Sequence, residues 1–195
     1  MPATPGTAAS VRRAYGELDR EQVVAALLAL ARRVGVQRVT MRELAAELGA
    51  AVPSVYYYVP GKRAALNLLA EAVLADIPEP GPGPWHKRLI EMYVSSRAVM
   101  LTVPGIAGVL QTNGDGESAR RLDELGRSLV ARAGLTDARA DASHTVLYTY
   151  LLGSLNLEET RPVTVTQPTE QQAAARFVAG LEVIVAGIQS SVRAP

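Results

Sequence analysis

Apolar residues recur at three- and four-residue intervals along most of the chain, and Gly, Pro and capping residues cut that pattern into separate helices. Leu18, Asp19, Gln22 and Val23 read as cap, capping partner and staple of a first helix. Its apolar face is Val23, Leu27, Leu30 and Val34, and it closes at Gly35. Thr40 followed three residues later by Glu43 is a capping box, flanked by Val39 and Leu44 at staple spacing. Leu44, Ala45 and Leu48 then share a face, and Gly49 supplies the left-handed stop. Pro53 is tolerated only near a helix start, so a second short helix begins at Val52 or Pro53 and runs through SVYYY to about Val59, where Pro60 and Gly61 end it. Two short helices around a tight turn read as a helix-turn-helix.

Beyond it, Leu66, Leu69, Ala70 and Val73 predict a helix from about Lys62 to Ile77 that joins this head to the larger C-terminal part of the chain. PEPGPGP, residues 78 to 84, is the sharpest compositional break, and its glycines have neither the preceding strand nor the following Gly-Lys-Ser/Thr of a nucleotide loop. Further helices are expected over Trp85 to Thr102, Gly105 to Gln111, Ser118 to Ala133, Asp137 to Glu159 and Thr169 to Val192. TNGDGE reads as a turn without calcium-ligand spacing, and RPVTVTQP as a loop with some strand-like character. About nine helices and no strand pair make an all-α fold. The expected division is residues 1–63, an N-terminal arm and helix-turn-helix DNA-binding domain, and residues 64–195, a linker helix and a ligand-binding and dimerisation domain.

In the second helix of the motif, Val55 and Val59 are the inward pair. Ser54, Tyr56, Tyr57 and Tyr58 are left on or near the outward face, with Lys62 and Arg63 just beyond. Hydroxyls donate to phosphates, rings pack on thymine methyls and sugars, and cations neutralise the backbone, so this face suits duplex DNA. The same tyrosines also fit a core edge or a subunit contact. Charge separates the halves: residues 1 to 63 hold nine Lys and Arg against five Asp and Glu, the rest eleven against fourteen, within a net charge of +1. The basic excess lies with the helix-turn-helix.

With 195 residues, 48% of them hydrophobic, the chain can bury a substantial core. It has no cysteine, which removes disulfides and thiolate metal sites and suits a reducing cytoplasm. MPATPGTAAS lacks a charged start followed by an apolar core, and no segment reads as apolar over bilayer length, so a soluble, cytoplasmic protein with no membrane partner is expected. Residues 1 to 17 read either as a disordered terminus or as a basic arm carrying Arg12 and Arg13 to DNA.

The stretch TMRELAAELGAAVPSVYYYVPGKRAALNLL resembles the TetR family of transcriptional repressors. The resemblance implies that Thr40 caps the first helix of the motif beside a phosphate and that Arg42 reaches a base or phosphate. Pro53, Ser54, Tyr56, Tyr57 and Tyr58 would form the recognition face, and Lys62 would clamp the backbone. The tetracycline repressors carry a base-reading glutamine where this chain has Val52, so a different operator is expected. PWHKRLIEMYVSSRAVMLTVPGIAGVL and FVAGLEVIVAGIQ resemble the C-terminal domain of the tetracycline-repressor branch, which implies that the last two long helices pair with their mates in a four-helix bundle. Independently, Phe177, Leu181, Ile184, Val185 and Ile188 form an apolar stripe that a monomer must expose or cover, and Leu152 joins them as a dimerisation candidate.

No catalytic constellation is visible. Asp141, Ser143 and His144 point to different sides of one helix, and neither His86 nor His144 has a second ligand at helical metal-site spacing. The drug and magnesium of the tetracycline branch are held by histidines whose places correspond here to Leu110 and Thr149, so neither tetracycline nor any metal or cofactor is expected. A pocket would draw on Trp85, Met92, Met100, Val109, Leu147, Tyr148, Leu151 and Leu152, with Arg97, Gln111, His144 and Asn156 as its polar groups. The resemblance, with these residues, implies a homodimeric, ligand-responsive repressor that leaves a palindromic operator when a largely hydrophobic small molecule binds without metal. The alternative is an all-α small-molecule carrier or interaction protein whose helix-turn-helix is structural.

Overall fold

The structure, a computed structural model, describes residues 18–160 and 168–193; the arm at residues 1 to 17 and the loop at 161 to 167 lie outside the described residues. Among the described residues the chain forms nine α-helices and a single 3-10 turn, with no strand. The first three helices, α1 (Arg20–Val34), α2 (Met41–Leu48) and α3 (Val52–Tyr58), start and stop on local chemistry. Asp19 Oδ1 accepts the Gln22 amide at 2.7 Å. Thr40 Oγ1 accepts the Glu43 amide at 3.1 Å while Glu43 Oε2 accepts the Thr40 amide, also at 3.1 Å, completing the capping box. Gly49, at φ 62°, turns its amide back onto the carbonyls of Ala45 and Ala46. Leu27, Leu44, Val55 and Val59 fill the space between these helices and are fully buried.

The next helix, α4 (Lys62–Ala75), packs on α1 on one side and on the body on the other. The body comprises α5 (Trp85–Met100), α6 (Ile106–Asn113), α7 (Glu117–Ala131), α8 (Asp137–Glu159) and α9 (Glu170–Arg193). Most helix ends fall within two residues of those expected. PEPGPGP breaks the chain between α4 and α5, yet the apolar core runs through Leu69, Ala70 and Val73 of α4 from one side to the other.

Charged groups tie α4 to α7 at both ends. Helix α7 begins at Gly116 with no side-chain cap of its own, and Glu71 of α4 supplies one, its Oε1 accepting the Ser118 amide at 2.9 Å. A Cβ on Gly116 would lie 2.1 Å from Glu71 Oε2, so only glycine admits the carboxylate there. In return Arg121 of α7 donates to the carbonyls of Leu74 and Ile77, at 3.4 and 3.3 Å, where α4 ends. A second joint lies at the far end of α1, where the Val36 amide donates to the carbonyl of Pro104 at 2.9 Å. Gly35 and Gly105, at φ 79° and 85°, make the turns that bring those two segments together.

Two expectations need correction. The segment Glu170–Val192 of α9 is, by length and composition, apolar enough to cross a bilayer, at mean hydropathy 1.3 over its most apolar window. The Glu170, Arg176 and Glu182 charges mask that run in the sequence. Only 22% of that window is buried, although α9 packs on α5 and α8.

The stripe read as a dimer contact is the other. Phe177, Leu181, Val185 and Ile188 are buried within the chain itself, as is Leu152 on α8, and Ile184 is half-buried. The stripe is a packing face for the protomer's own α5 and α8, a distinction periodicity alone does not make. Tyr150 fixes the α8–α9 contact, stacking on Phe177 at 5.2 Å between ring centroids and donating to the Phe177 carbonyl at 3.1 Å.

Because α4 is core to both parts, truncating Leu69 to Ala is expected to cost roughly 2–5 kcal/mol. Urea unfolding followed by circular dichroism measures this, and a loss below about 1 kcal/mol would show that α4 is not held as described. Gly116→Ala is expected to lower the midpoint as well, since its new methyl group evicts the Glu71 cap.

Candidate functional site

The head offers one face on which aromatic and cationic groups meet. Val55 and Val59 turn α3 so that Tyr56 and Tyr57 stand 47% and 73% exposed, with Pro53 beside them and Ser54 half-buried. The Tyr57 ring meets Tyr58 edge-on, 5.1 Å between centroids, and phenol rings left at the surface are suited to sugars and base methyls. Arg42 is exposed on α2, beyond the Thr40 cap. At the start of α4, Lys62 is exposed and its Nζ donates to the carbonyl of Gln37 at 3.3 Å, which holds the ammonium over the 3-10 turn (Val36–Arg38). Arg38 on that turn is also exposed, and the sequence does not single it out because it sits in a gap between helices.

Tyr58 does not belong to this face. It is half-buried, and its hydroxyl donates to the Leu18 carbonyl just ahead of α1, so it ties the recognition helix to the rest of the head. Residues i and i+1 on a helix point about 100° apart, which is why three consecutive tyrosines cannot share one surface.

In the body a cavity of about 410 Å³ lies between α4, α5, α6, α7 and α8. Five expected residues line it: Met92, Met100, His144, Tyr148 and Leu151. Four do not. Arg97 is on another side of α5, 4% exposed, with a bidentate pair to Glu158 at 2.7 and 3.1 Å and a third bond to Glu170 at 3.2 Å. Burial opposes its charge, but the two carboxylates outweigh that and raise its pKa. Trp85 begins α5 with its ring edge-on to His86, and Gln111 and Asn156 are exposed.

The sequence reading missed Tyr93, Arg120 and Asp123, which also line the cavity. Tyr93 follows Met92 on the buried face of α5 and could have been found from that periodicity. Asp123 carries no such signal, because what matters is the packing of α7 on α8. Burial, followed by the nearby Asp123 charge, pushes the Tyr93 hydroxyl pKa well up. Burial lowers the His144 pKa, partly opposed by Asp123, whose Oδ1 lies 3.6 Å from Nε2. Asp123 is itself held by Arg127 at 2.8 Å. At neutral pH the cavity therefore presents a phenol, a neutral imidazole and a paired carboxylate. Among the described residues no group of three His, Asp or Glu side chains is placed to hold a metal ion.

On the outside of α8 and α9, Val146, Leu157 and Val183 are exposed, Val183 by 73%. A shallow groove between these helices is floored by Leu135, Val146, Ile184 and Ile188.

Residues 23–71 match the profile of bacterial regulatory proteins of the tetR family, and residues 77–175 that of the tetracyclin repressor-like C-terminal domain. An HTH-type transcriptional regulator of Saccharopolyspora erythraea is 30% identical over 145 residues, 72% of this chain and 61% of the relative. The HTH-type transcriptional repressor DrrR1 of Streptomyces coeruleorubidus is 31% identical over 141 residues, 70% of this chain and 52% of its own. The match thus spans less than two thirds of either relative. Among solved structures, a TetR variant from Acinetobacter baumannii AYE in complex with minocycline superposes with a TM-score of 0.76 at 27% identity, over 92% of this chain and all of that one. Apo ActR from Streptomyces coelicolor, at 24% identity and a TM-score of 0.77 over 92% of this chain and 98% of its own, shares the fold. With both profiles covering the chain from α1 into α9, and a helix-turn-helix head joined through α4 to a hollow helical body, this protein belongs to the TetR family of transcriptional regulators.

Proposed function

We propose that this chain is a cytoplasmic repressor that binds a palindromic operator as a homodimer and leaves it when a small, largely apolar molecule enters the body cavity. The observation that carries the reading is the joint presence of an exposed Tyr56–Tyr57 face flanked by Arg42 and Lys62, and a cavity one helix away. Residues 1–63 act as the DNA-binding head and residues 64–195 as linker helix, ligand-binding and dimerisation body. Thr40 and Lys62 contact phosphates, Arg42 a phosphate or base, and Pro53, Ser54, Tyr56 and Tyr57 face the groove. The named relatives, a transcriptional repressor and a TetR variant bound to minocycline, support both halves of the reading.

The mechanism is a population shift. Helix α7 lends Arg120, Leu122 and Asp123 to the cavity and is clamped to α4, which carries Lys62 at its start. A molecule that fits better when α7 is displaced therefore favours a different setting of α4 and of the head, and it biases the dimer off DNA by its differential affinity for the two states. Dimerisation uses the outer face of α8 and α9, with exposed Val146, Leu157 and Val183. No metal takes part.

Tyr57→Ala is expected to weaken specific operator binding by roughly 1–3 kcal/mol, whereas Lys62→Ala weakens specific and non-specific duplex binding alike and flattens the salt dependence. Fluorescence anisotropy on a genomic fragment selected by the protein measures both, and unchanged binding in both variants would mean that the recognition face is misplaced. In sedimentation at micromolar concentration, Val183→Glu should yield folded monomers. The dimer should protect half-sites about 34–36 Å apart. A wild-type monomer, or a Val183→Glu dimer, would overturn this assignment of the interface.

A further inference from the structure

Tyr93 and His144 give the cavity a polar corner near Asp123, while Ser96, Arg120 and Tyr148 also line the cavity. Tyr93 and His144 are only 4% and 6% exposed, and both line the cavity. Among the described residues neither the Tyr93 hydroxyl nor either nitrogen of His144 makes a hydrogen bond; the nearest charged partner of the imidazole, Asp123, is at 3.6 Å, too far for one. Buried polar side chains are almost always paired, and leaving one unpaired costs about 1–3 kcal/mol. Arg97 and Ser96 on the same helix follow that rule, Ser96 donating to the Met92 carbonyl at 2.7 Å. Tyr93 and His144 instead turn unpaired hydrogen-bonding atoms to the space of one cavity, whereas the atoms sealed off without a partner among the described residues are Glu71 Oε2 and Arg88 Nε.

We infer that this corner is a preformed socket for a neutral hydroxyl on an aromatic ring, a phenol or enol, whose oxygen accepts from Tyr93 and whose proton goes to His144. The inference rests on the cavity being the inducer site and adds the class of inducer. A hydroxyl answers a donor and an acceptor through a single atom, which an ether, a carboxylate or an ammonium group cannot do. Asp123 and Arg127 form an ion pair there, at 2.8 Å, so the corner has no net charge to draw either an anion or a cation. The remaining walls, Met92, Met100, Leu110 and Leu151, hold a flat apolar body. The volume of about 410 Å³ lies within the usual range for drug-sized molecules. Gly126 sets the position of the imidazole: a Cβ there would lie 2.9 Å from His144 Nε2.

The test is a matched set of four probes, 2-naphthol, 2-methoxynaphthalene, naphthalene-2-carboxylate and 2-naphthylmethylamine, titrated into the full-length protein by calorimetry. 2-Naphthol is expected to bind about tenfold or more tighter than each of the other three, because a site built to bond a hydroxyl rejects the analogue that cannot complete it. Tyr93→Phe and His144→Leu should each erase most of that preference while the methyl ether binds as before. Gly126→Ala, which only displaces the imidazole, should reduce it. Equal affinity for naphthol and its ether, or a preference for the carboxylate or the amine, would overturn the socket while leaving the cavity a small-molecule site. Binding of none of the four would overturn both the socket and the cavity's role as inducer site. If His144→Leu fails to fold, Tyr93→Phe, which removes only a hydroxyl, decides alone.

Discussion

Helix α4 is buried from two sides, and the rest of the molecule depends on that. Its apolar residues complete the cores of both the head and the body, so neither part has a finished interior without it. The pair of helix-end caps it exchanges with α7 adds direction to the attachment. Glu71 answers the bare amides at the start of α7, and Arg121 answers the bare carbonyls at the end of α4. Glu71 keeps one oxygen buried without a partner, an arrangement that persists only because its other oxygen caps a helix. A rotation or slide of α7 must break one or both of these contacts or carry α4 along.

The body shows two ways of handling buried polarity, and the contrast separates framework from function. Arg97 is surrounded by bonds: two to Glu158, one to Glu170, and the Phe177 ring 5.7 Å beneath its guanidinium. Removing Glu158 would leave the buried charge with only the exposed Glu170, so the group staples α5 to α8 and α9 and has no capacity left for a ligand. Tyr93, one turn before Arg97 on α5, and His144 on α8 have that capacity. In the sequence Arg97 and His144 are equivalent polar spots on apolar helices, and only the packing tells them apart.

That difference marks the limit of what the order of residues alone can show. Helix starts and stops were legible because their causes are local: the Thr40–Glu43 box, the Asp19 cap and the left-handed Gly49 each act within four residues. The recognition face was legible for Tyr56 and Tyr57, whose outward aim follows from the burial of Val55 and Val59. Tyr58 was not, since its partner, the Leu18 carbonyl, is 40 residues away. The apolar stripe of α9 was found correctly as a stripe and given the wrong neighbour. Periodicity says that a face must be covered and is silent on whether its own chain or another covers it. Asp123 was invisible for the related reason that a charged residue on an otherwise amphipathic helix looks like solvent-facing surface until α8 is laid beside it.

The contact between the Val36 amide and the Pro104 carbonyl is made entirely by main chain, with Gly35 and Gly105 giving the turns their shape. Side-chain exchange at Val36 or Pro104 leaves its donor and acceptor in place unless Val36 itself becomes proline. An alanine scan of the head–body boundary would therefore report the loss of the buried Val36 side chain and leave the bond itself untested. Replacing the Val36 amide by an ester, which deletes one proton and no side chain, is the kind of change that would make it visible.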